Sequence, residues 1–85
     1  MITLIQAFRL LDIRDEGVYL TTPGASRLDC FWFWSDNIRK LFDMKKVKVL
    51  KIRRHFTYDH DDPDYEFVVR GITTEELRRI HTKMI

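Results

Sequence analysis

Eighty-five residues make one domain, residues 1–85, with a modest core. Apolar residues are 45% of the chain and charged residues 33%, a globular balance that excludes a disordered chain. A net charge of +2, one cysteine (Cys30) and no apolar run longer than Cys30 to Trp34 exclude a disulfide-stapled miniprotein and a membrane-spanning helix.

The first residues, Met1 to Leu11, contain Gln6 and Arg9 and lack a small-residue cleavage site, so they do not read as a signal peptide. A soluble protein in a reducing, cytoplasmic compartment, with no membrane contact, is the expectation.

Thr3 and Gln6 stand at capping-box spacing, and Leu4, Ile5, Phe8 and Leu11 follow at helical spacing. They predict a helix from about Leu4 to Asp12, stopped within Asp15-Glu16-Gly17. Val18 to Thr22 is rich in β-formers, Pro23 to Ser26 is turn chemistry, and Leu28 to Trp34 favours β again, which predicts a hairpin. Ser35 or Asp36 is placed to cap a short helix, with Ile38, Leu41 and Phe42 inward and Arg39, Lys40 and Lys45 outward.

Val47 to Tyr58 reads as a long strand whose alternation slips between Val49 and Leu50, the mark of a bulge. Asp59 to Asp64 reads as a polar loop, and Tyr65 to Arg70 as the returning strand of a second hairpin, ended by Gly71. Thr73 and Glu76 form a second capping box, with Ile72 and Leu77 at staple spacing and Leu77, Ile80 and Met84 as the buried stripe. The expected fold is a single small α+β domain in the order α-β-β-α-β-β-α, a mainly antiparallel sheet of about four strands packed with helices.

Catalysis needs a nucleophile or an acid–base pair held within reach. Cys30 with His55 or His81 could in principle make a thiol–imidazole pair, but a thiol in an aromatic strand behaves as a small buried hydrophobe. The segment Asp59 to Glu66 is rich in carboxylates, yet it lacks the turn glycine of a calcium loop, and a solvated hairpin loop accounts for it. Glycine-rich phosphate loops, paired-cysteine zinc spacing and nucleophile elbows are absent from the sequence. The expectation is a non-enzyme with no cofactor and no metal.

Charge is unevenly spread. Arg39 to His55 carries eight basic residues against one acid, Asp43, while Asp59 to Glu66 carries five acids. A basic stripe of this kind serves nucleic acid or an acidic protein surface. It also arises as a solvated strand face with cross-strand partners such as Glu66, or as edge protection. In Phe31-Trp32-Phe33-Trp34, strand alternation puts the phenylalanines on one side and the tryptophans on the other. With helices on one sheet face, one pair stays exposed as an interaction surface.

These features predict a small non-enzymatic protein-binding module. In general type it resembles the stand-alone proteins that phage and mobile elements encode as stoichiometric inhibitors of host defence, anti-CRISPR proteins among them, although no motif of theirs is present. The expected contact groups are Trp32 and Trp34, with Arg39 and Lys40, then Lys46, Lys48 and Lys51, then Arg53 and Arg54. The expected partner is a protein with an acidic or nucleic-acid-mimicking surface. The alternative is a nucleic-acid-binding regulator that uses the basic segment Arg39 to Arg54.

Overall fold

The computed structural model describes residues 1–57 and 60–84, and the side chains of residues 56–63 fall outside what it describes. A two-residue strand, β1 (Ile2–Thr3), runs straight into helix α1 (Leu4–Leu10). There follow β2 (Gly17–Thr21), a 3₁₀ turn (Arg27–Asp29), β3 (Phe31–Trp34), α2 (Ser35–Leu41), β4 (Lys48–Thr57), β5 (His60–Arg70) and α3 (Thr74–Lys83). The strands form one sheet in the order β1-β4-β5-β2-β3.

This is an α+β domain with both expected hairpins, β2–β3 and β4–β5. The sheet differs from the expectation in two ways. It has five strands, because Ile2 and Thr3 pair with Val49 and Lys48. It is also mixed, because β2 runs parallel to β5 and so welds the two hairpins side by side. Two residues are too few to show a period, and the β2–β5 pairing joins segments more than forty residues apart that share no local signal.

Both capping boxes form. The Thr3 hydroxyl accepts from Gln6 N at 3.1 Å while the Gln6 side chain accepts from Thr3 N at 2.8 Å. Thr73 and Glu76 repeat the exchange at 3.1 and 3.2 Å. Helix α1 ends at Leu10, earlier than the predicted Asp12. Asp12 takes a left-handed φ of 52°. Its N–H reaches the carbonyl of Arg9, and that of Ile13 reaches the carbonyl of Phe8. This is the hydrogen-bond pattern of a Schellman stop, with aspartate where glycine is usual and Ile13 as the buried apolar closure.

Three further local expectations change. Ser35 does not cap α2. Its N–H donates to the Glu16 carbonyl and its hydroxyl to the Arg14 carbonyl, so the side chain ties the helix to the loop before β2. Leu41 is half-exposed, and Ile38 and Phe42 alone carry the inward stripe of this helix. Leu28 lies in the 3₁₀ turn, 90% exposed, rather than in β3. The turn is pinned by Asp29, whose carbonyl accepts from the Thr21 hydroxyl and whose carboxylate pairs with Arg78.

The polar loop expected over Asp59 to Asp64 is largely strand. His60 to Asp64 belong to β5, with His60 opposite Thr57 and Asp64 opposite His55. Tyr58 and Asp59 lie outside the described residues, as do the side chains of His60, Asp61 and Asp62, so of the carboxylates behind the metal expectation for this segment only Asp64 and Glu66 are described.

The core lies on one face of the sheet. Val18, Leu20, Phe31, Phe33, Phe67 and Val69 point into it from the strands, and Leu4, Ala7, Phe8, Ile38 and Leu77 meet them from the three helices. Burying each large apolar side chain contributes about 1.5–3 kcal/mol. Phe33 is the keystone. It is fully buried, with the Phe42 and His81 rings edge-on at 5.3 and 5.4 Å.

The slip at Leu50 is a bulge. Val49 opposes Val69 and Lys51 opposes Val68, so Leu50 has no partner in β5. The extra residue changes the phase of β4. Lys48 before it, and Lys51 and Arg53 after it, therefore fall on the same side, while Val49 and Ile52 point at the core.

Candidate functional site

All three helices of the described residues pack on the Phe31–Phe33 side, and among the described residues the other face of the sheet is free of helix. Strand alternation puts Trp32 and Trp34 there, as the sequence predicts. Phe31 and Phe33 are buried, Trp32 is half-buried and Trp34 is 53% exposed. The two indoles pack edge-to-face at 4.6 Å. Register then sets one continuous row across four strands. Trp32 opposes Tyr19, Tyr19 neighbours Glu66, and Glu66 opposes Arg53. Three strand spacings separate the ends of that row, roughly 14 Å.

Glu66 is the hub of the polar half, and only 7% of it is exposed. Arg53 Nη1 donates to its Oε2 at 2.7 Å. His55 Nε2 lies 3.0 Å from Oε1, and the Cys30 thiol donates to the same oxygen at 3.5 Å. A carboxylate only accepts, so the His55 proton sits on Nε2. Burial alone pushes the Glu66 carboxyl up. The hydrogen bonds from Arg53, Cys30 and His55 outweigh it and hold the group below its ordinary value. The Tyr19 ring lies 6.0 Å from that of His55.

The β2–β3 connection, Thr22 to Arg27, overhangs this network. Between loop and sheet runs a trough of about 820 Å³, with Glu66 and Val68 among its lining residues. Gly24, at the bend of the loop, has a φ of 74°, which glycine adopts without strain.

Of the sequence-predicted contact groups, Trp32, Trp34, Lys48, Lys51 and Arg53 share the helix-free face. The others do not join them. Arg39 donates to the Ile13 and Arg14 carbonyls at 2.8 and 3.0 Å and to Asp36, and its guanidinium covers the Phe8 ring at 5.3 Å. It is bound into the fold, although the residue keeps an exposed surface. Lys40 is exposed on α2 beside Trp34. Lys46 lies between α2 and β4, and Arg54 opposes Tyr65 on the helix side of β4.

Glu66, Tyr19 and His55 were not among the predicted contact groups. The signal for Glu66 was an acid directly before Phe67-Val68-Val69, in a strand opposite basic residues.

Chemically, the network does not prepare a nucleophile. Desolvation, then the charge of Glu66, pushes the Cys30 thiol up to about 11. Reactive cysteines are shifted the other way. His55 and Cys30 share one carboxylate oxygen rather than bonding to each other. Among the described residues, no group of three or more His, Cys, Asp or Glu side chains is placed to hold a metal ion. Among the described residues, no helix is long and apolar enough to cross a membrane. No family model, curated protein or solved structure matches the chain.

Proposed function

We propose that the chain is a non-enzymatic binding module whose contact surface is the helix-free face of the sheet, and that its partner is a protein with an acidic surface. The observation that carries this reading is the Trp32–Trp34 pair, packed edge-to-face on an uncovered sheet with Trp34 half-exposed. A rigid aromatic pair offers large contact area at little entropic cost, and such residues dominate interface energetics. Lys48, Lys51 and Arg53 on the same face suit it to an acidic partner. A module of this kind acts stoichiometrically, as an inhibitor or modulator.

The test is affinity capture from host extract, with nuclease added, using the wild type, Trp34→Ala and the Lys48→Glu/Lys51→Glu double variant. Arg79→Ala, on the exposed side of α3, is the control. A partner retained by the control and lost from both face variants supports the reading, with Trp34→Ala weakening the purified complex by about 2 kcal/mol. Capture indifferent to the face variants would overturn it.

The bulge at Leu50 favours one second reading, because it aligns Lys48 with Lys51 and Arg53 on the sheet face that also carries the aromatic groups. A platform of rings and cations suits single-stranded nucleic acid. Mobility shifts at about 50 and 200 mM salt separate the two readings, since phosphate contacts weaken steeply over that range. A complex that survives the higher salt, and that Trp34→Ala abolishes, would favour nucleic acid.

A further inference from the structure

The trough beneath the β2–β3 connection has features that the binding face as a whole does not need. Its volume of about 820 Å³ falls within the range of small-molecule sites. Three cations line it, Arg27 from the overhanging loop and Lys51 and Arg53 from β4. Two acids line it as well, but neither answers those cations fully. The oxygens of Glu66 are occupied by Arg53, His55 and Cys30, and Asp64 also has a partner. Lys51 and Arg27 make no ion pair or hydrogen bond among the described residues.

The buried Glu66 carboxylate fixes Arg53 by one nitrogen, Nη1, and leaves the half-exposed guanidinium with further donors. Glu66 thus serves as a brace for a cation. Phosphate is an anion that a braced guanidinium and a neighbouring ammonium both recognise. The trough is also larger than a phosphate needs, and the half-buried Tyr19 ring lines it.

From this arrangement we infer that the trough is a binding site for a small phosphate ester carrying a planar ring, of the mononucleotide kind. Its phosphate is held by Arg53, Lys51 and Arg27, and its ring lies against Tyr19. Glu66 is a positioning residue that touches Arg53 rather than the ligand. The site goes beyond the protein-binding reading, because Trp34 takes no part in it.

Amide chemical-shift titration of the intact protein with AMP, and separately with inorganic phosphate, tests the assignment. AMP is expected to shift the resonances of Tyr19, Thr22 to Arg27, Lys51 and Arg53, and to bind more tightly than phosphate. Lys51→Ala and Arg27→Ala, both exposed and without structural partners among the described residues, should each weaken AMP about tenfold, the worth of a charged hydrogen bond. Trp34→Ala should leave AMP binding unchanged while it removes any protein partner. Three results would overturn the site: no shifts at millimolar AMP, shifts that persist in both cation variants, or phosphate binding as tightly as AMP.

Discussion

Gly17 lies directly under the indole of Trp32, so closely that a methyl group on its α-carbon would fall among the ring atoms. The two residues are diagonal neighbours, since Gly17 opposes Trp34 and Tyr19 opposes Trp32. The indole covers bare backbone and keeps its edge against Trp34 at 4.6 Å. Gly17→Ala should therefore dislodge Trp32 and cost about 1–2 kcal/mol in urea unfolding, with a red shift of tryptophan emission. In the Trp32→Ala background the same change should cost far less. Equal costs in both backgrounds would show that the ring does not matter.

Asp12 ends α1 in a conformation that suits glycine. Asp12→Gly is expected to stabilise the protein by about 0.5–1 kcal/mol, because relief of left-handed strain exceeds the added chain entropy. Its ion pair with Arg14 joins two well-exposed side chains and offsets little of this. A lowered melting temperature would contradict the assignment.

The two capping boxes allow a paired comparison. Thr73→Ala and Thr3→Ala should each cost about 1 kcal/mol. Hydrogen exchange of the Gln6 and Glu76 amides, which donate to those hydroxyls, should quicken in the matching variant alone.

Acid should loosen the fold through Glu66. Its folded carboxyl titrates below the ordinary value of 4.5, so the folded state binds fewer protons than the unfolded state around that pH. The stabilisation is complete above 4.5 and is lost as pH falls through the lower, folded value. Asp29, held down first by its hydrogen bond from Arg78, acts in the same direction. Denaturation midpoints should be flat near neutrality and fall below about 4.5. Glu66→Gln should flatten that fall while lowering stability at neutral pH.

Cys30 should be slow to alkylate. With its thiol pushed up to about 11 from 9.0, thiolate at neutral pH is about a hundredfold scarcer than in an unshifted cysteine. Glu66→Gln, which removes the adjacent negative charge, should speed labelling by iodoacetamide in the folded protein. Labelling as fast as in the unfolded chain would contradict the Cys30–Glu66 contact.

What could be read from the residues was local. Thr3 with Gln6, and Thr73 with Glu76, announce helix starts because a cap depends on four consecutive residues. The Trp/Phe alternation and the bulge at Leu50 were equally plain, since the period of a strand is two. The parallel contact of β2 with β5 was hidden, because neither strand carries a mark that names its neighbour. The roles of Ser35 and Arg39 were hidden for the same reason. Both side chains reach back to the carbonyls before β2, groups more than twenty residues away. Within the candidate site, the tryptophans were legible, whereas the Glu66 hub depends on register across three strands.

The unpaired Leu50 also determines where the chain can change length. Val49 and Lys51 face consecutive residues of β5, Val69 and Val68. Removing Leu50 would leave a regular ladder from Lys48 to His55, with Val49 and Ile52 still inward and Lys51 and Arg53 still outward. Removing any one residue between Lys51 and His55 would instead disturb the pairing that seats Ile52 against the core and Arg53 against Glu66. The Leu50 position can therefore absorb a deletion without altering either face of the sheet from Lys48 to His55, and expression of the Leu50 deletion beside a Lys51 deletion would reveal the difference.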